Sequence, residues 1–156
     1  MKTIQLLFAT MIAVSVLVIG CGGNGGDAAS KSSPKTTSES GLSEFEIKNG
    51  IGPVTEEIVI GEIDAEIAQK GAEVFELKCS ACHKMNERYV GPALGDILEL
   101  RTPAYVMNMI LNPDGMVKKH PEAKKKLQEF MTPMPNQNLS QDEARAIAEY
   151  LASDIK

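Results

Sequence analysis

Apolar positions divide the chain into three unequal stretches. Ile4 to Ile19 is almost continuously apolar. Gly22 to Gly41 is rich in Gly, Ser, Thr and Ala and shows no apolar periodicity. Beyond that, apolar residues return in helical register. Asp64 is placed as an N-cap, and Ile67, Gly71, Val74 and Phe75 follow on one face up to Lys78. Thr102-Pro103 reads as N-cap and first helical residue of a helix running through Leu111 and stopping before Pro113. Pro121 opens another, with Ala123, Leu127 and Phe130 on one face. Ser140 and Glu143 form a capping box for a last helix, whose stripe is Ala144, Ile147, Ala148 and Leu151, with Tyr150 beside it. Everything regular is helical, so the predicted class is all-α.

Gly71 sits inside a predicted helix, where glycine costs about 1 kcal/mol relative to alanine. Close approach of a second helix is the expected compensation. Phe45 to Ile60 reads as an irregular arm laid over the domain, with room for a short edge strand at Ile58-Val59-Ile60. Asn112-Pro113-Asp114-Gly115 reads as a turn, which makes Met116 loop filler.

The first stretch is a targeting segment rather than part of the fold. Lys2 supplies a short positive start, and the apolar run falls short of the roughly 20 residues that span a bilayer comfortably. It ends Val18-Ile19-Gly20-Cys21, which resembles a bacterial lipobox, where cleavage precedes a cysteine that then carries lipid. An ordinary signal peptide with a chance cysteine and a retained transmembrane anchor are the competing readings. The predicted organisation is a lipoprotein signal over residues 1–20, a lipidated Cys21 with flexible linker over 21–44, and one domain over 45–156 with its core at about 64–155. A linker of this composition has an r.m.s. reach of about 25 Å. The expected location is the bacterial cell envelope, exported and membrane-anchored on the extracytoplasmic or periplasmic side.

The 156-residue chain carries a formal charge of −5, and removing residues 1–20 takes away one lysine and no acid, leaving −6. That balance argues against nucleic acid as a partner. Lys118, Lys119, Lys124, Lys125 and Lys126 are a basic cluster on this acidic background, read first as a solvated helix face and second as a docking aid. The core inventory is thin: no Trp, three Tyr and four Phe. A large apolar body from outside the polypeptide would complete it.

Cys79-Ser80-Ala81-Cys82-His83 names that body. C-x-x-C-H is the attachment signature of a c-type haem. Each thiol adds to one vinyl group of a single porphyrin, and the adjacent imidazole falls beneath the iron. The competing readings are a zinc half-site and a thioredoxin-type dithiol. Zinc needs two further ligands, and outside the motif only His120 is a plausible soft donor. A thioredoxin-type motif needs a βαβ setting, which the pattern does not provide. One covalent haem c per chain is therefore expected, with His83 as one axial ligand.

The second axial position has several candidates: Met85, Met107, Met109, Met116, Met131, Met134 and His120. Met134 is chosen because Pro133 and Pro135 flank it, and a loop stiffened by two prolines presents a thioether with little entropy to lose. Met131 is the rival, and His120 comes next.

These residues resemble the class I monohaem cytochrome c family over roughly Asp64 to Ile155. The resemblance rests on the entering helix with Gly71 and Phe75, the Cys79–His83 motif, Gly91-Pro92 with Leu94, the Met134-Pro135 loop and the closing helix with Tyr150. It implies the cytochrome c fold, a crossing of first and last helices, and a Pro92 carbonyl that orients His83. A narrower resemblance, carried by residues 88–94, Arg101-Thr102-Pro103, residues 107–113 and Met134 with residues 136–139, points to cytochromes encoded beside nitrous-oxide reductase in some bacteria. The implied role is a one-electron carrier that meets redox-protein donors and acceptors transiently, needs no small-molecule substrate and is not an enzyme; no catalytic residue is assigned. The alternatives are a haem-based gas or redox sensor, or an enzyme, with an open sixth iron position, and the cytochrome subunit of a larger oxidoreductase.

Overall fold

The computed structural model describes residues 41–153. The signal segment, Cys21 and nearly all of the linker lie outside the described residues. Among the described residues seven helices follow one another: α1 (Glu44–Asn49), α2 (Ala65–Lys78), α3 (Ile97–Leu100), α4 (Pro103–Leu111), α5 (Pro113–Lys119), α6 (Pro121–Phe130) and α7 (Gln141–Ser153).

Local chemistry sets the helix starts. The Asp64 carboxylate accepts from the N–H groups of Glu66 and Ile67 at 2.9 and 3.1 Å, satisfying two orphan donors of α2. Thr102 caps α4 by accepting from Tyr105 N at 3.1 Å. Ser140 and Glu143 close a reciprocal box at α7, with Glu143 N to Ser140 Oγ at 3.2 Å and Ser140 N to the Glu143 carboxylate at 2.8 Å.

α2 and α7 cross closely. A Cβ on Gly71 would fall on the Ala146 carbonyl, so only glycine allows the approach. One turn on, Phe75 meets Tyr150 with ring centroids 5.4 Å apart and planes tilted by 55°. The crossing is tied at one end by Glu149. Its carboxylate is 2% exposed, accepts from Asp64 N at 3.1 Å, and is paired with Arg145 at 3.1 Å. The start of α2 is thereby fixed to α7, and α2 runs straight into Cys79.

The sequence expectation fails in three places. Phe45 to Ile60 is not wholly irregular. It begins with α1, capped by Ser43 and Glu46 in a reciprocal box, a signal overlooked because six residues carry no visible period. Ile58-Val59-Ile60 is not an edge strand. Ile58 and Ile60 pack on the core while Val59 is 79% exposed. That is the in–out alternation of extended chain without a neighbouring strand to pair with. Asn112-Pro113-Asp114-Gly115 is the start of α5, not a free turn: Asn112 Oδ1 accepts from Gly115 N at 3.2 Å and Pro113 occupies the first turn. Met116 is consequently not loop filler. It is fully buried, in a small cluster with Tyr105 and Ala123.

Buried amides hold the arm down. Asn108, fully buried on α4, donates to Asn49 O and Val54 O at 3.0 and 2.9 Å and accepts from Val54 N at 3.0 Å. Asn112 Nδ2 donates to Ile51 O at 2.9 Å. The arm backbone at Asn49, Ile51 and Val54 thus finds partners that water would otherwise supply.

An interior helical glycine ordinarily gains about 1 kcal/mol from replacement by alanine. Gly71→Ala is expected to do the reverse, lowering stability by about 1–3 kcal/mol through overpacking at the crossing. Thermal unfolding of the mature protein followed by circular dichroism checks the sign.

Candidate cofactor site

The end of α2 builds the attachment turn. Cys79 N donates to Phe75 O at 2.8 Å, and the chain then winds once more, with Cys82 N and His83 N both reaching Cys79 O at 3.0 and 2.9 Å. This turn gathers Cys79, Cys82 and His83. Cys79 is buried and Cys82 exposed. The chain then doubles back: Gly91 N donates to Cys82 O at 2.8 Å, Leu94 N to Lys84 O at 3.0 Å and Gly95 N to Met85 O at 2.9 Å.

That return places Pro92 O 2.9 Å from His83 Nδ1. A carbonyl only accepts, so Nδ1 carries the proton and Nε2 keeps a free lone pair. Gly91 backs the ring, since a Cβ there would collide with His83 Cε1. The imidazole is therefore held by a hydrogen bond along one edge and by bare backbone against its ring.

His83 and Cys79 line a cavity of about 410 Å³, within the roughly 300–1,000 Å³ of small-molecule and cofactor sites. Phe75, Val106, Ile110, Ile147 and Leu151 supply apolar wall from α2, α4 and α7, and Leu127 and Phe130 supply it from α6. Met134 lines the same cavity. Met131, three residues earlier, is 82% exposed and is absent from the lining. His120 is buried elsewhere: Nε2 lies 3.1 Å from Ile47 O and the ring packs edge-on against Tyr105 at 5.2 Å. Met107 packs in the core, and Met109 reaches the cavity from α4.

The donor set fits a covalently attached, histidine-ligated porphyrin better than the two competing chemistries. Burial first, and the neighbouring Cys82 second, push the Cys79 thiol up to about 11. That is the opposite of the lowered thiol of a thioredoxin-type dithiol. Among the described residues no group of three or more His, Cys, Asp or Glu side chains is placed to hold a metal ion, so the zinc reading lacks its ligands. A flat apolar body touching an imidazole nitrogen, a thioether and the buried Cys79 thiol matches the lining, with Cys82 exposed on the same attachment turn.

Sequence reasoning placed Lys126 in a basic cluster but did not associate any charged residue with the cavity. Arg88, Arg101, Lys126 and Glu129 also line the cavity. Arg101 pairs with Glu122 at 2.8 Å, and Lys126 with Glu129 at 2.8 Å. The first pair joins residues 21 apart, which no linear motif associates, and the second joins residues three apart on α6. The five lysines of the basic cluster are exposed, spread over α5 and α6.

The family model described as cytochrome c matches residues 68–154. Among solved structures, cytochrome c from Rhodothermus marinus is similar over 70% of this chain and 95% of its own, with 45% identity and a TM-score of 0.67. An engineered cytochrome c from the same organism gives 44% identity, 70% and 96% coverage and a TM-score of 0.66. The same engineered protein bound to a carbene intermediate gives 44% identity, the same coverages and a TM-score of 0.64. A comparison with curated proteins gave no match.

The walls of the cavity are mostly apolar, and without a group inside it they lose the packing partners that a close-packed interior supplies. The double variant Cys79→Ala, Cys82→Ala is therefore expected to lose its cooperative thermal transition. A sharp, native-like transition in calorimetry would show that the polypeptide packs without the cofactor.

Proposed function

The chain belongs to the cytochrome c family, and from that premise we propose a membrane-tethered one-electron carrier with His83 and Met134 as axial ligands of its haem. The family binds haem c covalently, one per domain, and Cys79 and Cys82 are the thiols present for it. The coarse role, a haem-based electron carrier, follows from family membership.

The observation that carries the ligation is the 2.9 Å contact between His83 Nδ1 and Pro92 O. It fixes the tautomer, aims Nε2 and raises the basicity of the ring. Met134 is preferred for the opposite ligand because it lines the cavity that His83 lines. Pro133 and Pro135 restrict the backbone on both sides of it. Bound haem would supply a one-electron ferric–ferrous couple; the apolar walls would limit its contact with water, and the His83 imidazole and Met134 thioether would hold the iron and tune its potential. Exposed Cys82 marks where the attached edge approaches solvent, and so where a donor or acceptor protein docks in a brief, small-area encounter.

The anchor rests on Cys21 and the lipobox-like residues before it. With a linker reaching about 25 Å, the domain stays near the membrane yet turns freely, on the extracytoplasmic side of the envelope. For the acceptor, the narrower motif resemblance favours a nitrous-oxide reductase or another terminal reductase or oxidase. The alternative of an open sixth position, for sensing or catalysis, draws on the engineered relative that holds a carbene intermediate.

Two measurements test these assignments. The ferric protein is expected to show the weak red-edge absorption of methionine-ligated iron, and the ferrous protein to ignore carbon monoxide. Met134→Ala should abolish the band and admit carbon monoxide, while Met131→Ala should leave both unchanged; loss of the band in Met131→Ala alone would reassign the ligand. For the anchor, Cys21→Ser is expected to move the protein from the membrane fraction to the soluble extracytoplasmic fraction. Continued membrane retention would favour an uncleaved apolar segment.

A further inference from the structure

Arg88 is one of the charged residues that line the cavity. Arg88 stands five residues after His83, in the loop that leads to Gly91-Pro92. Its guanidinium crosses to the last turn of α6. Nη2 donates to Glu129 O at 3.0 Å, Nη1 lies 3.7 Å from the Glu129 carboxylate, and the group sits 4.1 Å from the centroid of the Phe130 ring. A cation there also suits the negative end of the helix and its unpaired carbonyls.

The other ties of α6 are near its start: it backs onto α5, Ala123 packs with Tyr105 of α4, and Glu122 pairs with Arg101 at 2.8 Å. Its far end is Phe130, followed by Met131 in a left-handed conformation at φ 54°. Thr132-Pro133 then leads to Met134, with no regular structure until α7. Glu129, the anchor point, is charged at neutral pH: its hydrogen bond from Lys126 holds the carboxyl below the usual range, and the charges of Lys126, Arg88 and Lys125 add to this.

We propose that Arg88 is a positioning residue for Met134, fastening the loop behind the histidine ligand to the chain segment that presents the methionine. The inference rests on the His83/Met134 reading given above. Two loops that approach the cofactor from different parts of the sequence are locked to one another at the rim. The lock governs how readily the thioether withdraws. Met134 itself stays a ligand, and Arg88 touches neither iron nor substrate.

The test uses mature holoprotein and exogenous imidazole, which competes with the methionine for ferric iron. Arg88→Gln is expected to raise imidazole affinity about three- to five-fold, the size of an exposed cation–π contact, and to weaken the red-edge methionine band. Arg88→Lys keeps a cation near Phe130 but lacks the fork that reaches the Glu129 carbonyl with one nitrogen and its carboxylate with the other, so it should restore only part of the effect. The Arg88 and Glu129 side chains are 58% and 41% exposed, so salt screens their pairing. Imidazole affinity of the native protein should therefore rise with ionic strength, and that of Arg88→Gln should not. A lower melting temperature with unchanged imidazole affinity and unchanged band would make Arg88 a stabilising surface contact only and overturn the proposal. A native protein lacking the methionine band would instead defeat the ligation reading. In that case, faster amide exchange at Thr132 and Met134 in Arg88→Gln would keep the fastening role, and unchanged exchange would end it.

Discussion

A small domain cannot keep a hollow of aliphatic side chains at its centre without something apolar inside it. That constraint organises the molecule. α2 and α7 cross at Gly71 and Ala146 and lend Phe75, Ile147 and Leu151 to one region of the cavity wall. α4 and α6 lend others. The polypeptide has no tryptophan to fill the space. The same α2 whose glycine permits the crossing ends in the turn that carries both thiols and the imidazole. Fold and candidate chemistry therefore share one helix.

Polar groups are used sparingly and mostly as fasteners. Asn108 and Asn112 give the arm backbone its hydrogen-bond partners, and Glu149 gives one to the start of α2. Pro92 does the same for the imidazole of His83, but with a functional consequence, because the proton it holds decides which ring nitrogen is left free. A carbonyl suits this task better than a carboxylate: it fixes the tautomer without adding a buried charge that would need its own compensation.

What the sequence made legible was whatever is encoded within a few residues. Asp64, Thr102-Pro103, Pro121 and the Ser140–Glu143 box each stop or start a helix by local hydrogen bonding, so α2, α4, α6 and α7 were readable before any coordinates. The attachment motif was readable for the same reason, since its chemistry needs only consecutive residues. Gly71 was readable as an anomaly that demanded a close neighbour. The failures have the opposite character. α1 and α5 are too short to show a period, and α5 is stabilised by contacts of Met116 with a part of the chain 65 residues away. Asn-Pro-Asp-Gly signals a turn and a helix start equally well, and only burial of Met116 decides between them. The Arg88 contacts with Glu129 span 41 residues and leave no mark in either local sequence. The separation of Met134 from Met131 is intermediate: the prolines single out one of them, but only coordinates show one lining the cavity and the other 82% exposed.

The central claim is that a porphyrin is bonded to Cys79 and Cys82 and held by His83. Intact-mass measurement of protein matured in a cell able to attach haem, combined with titration of free thiols in the 41–156 region, tests it most directly. A mass increase of one haem with neither Cys79 nor Cys82 reactive is expected. A colourless product at the mass of the bare polypeptide, with both thiols free, would contradict it.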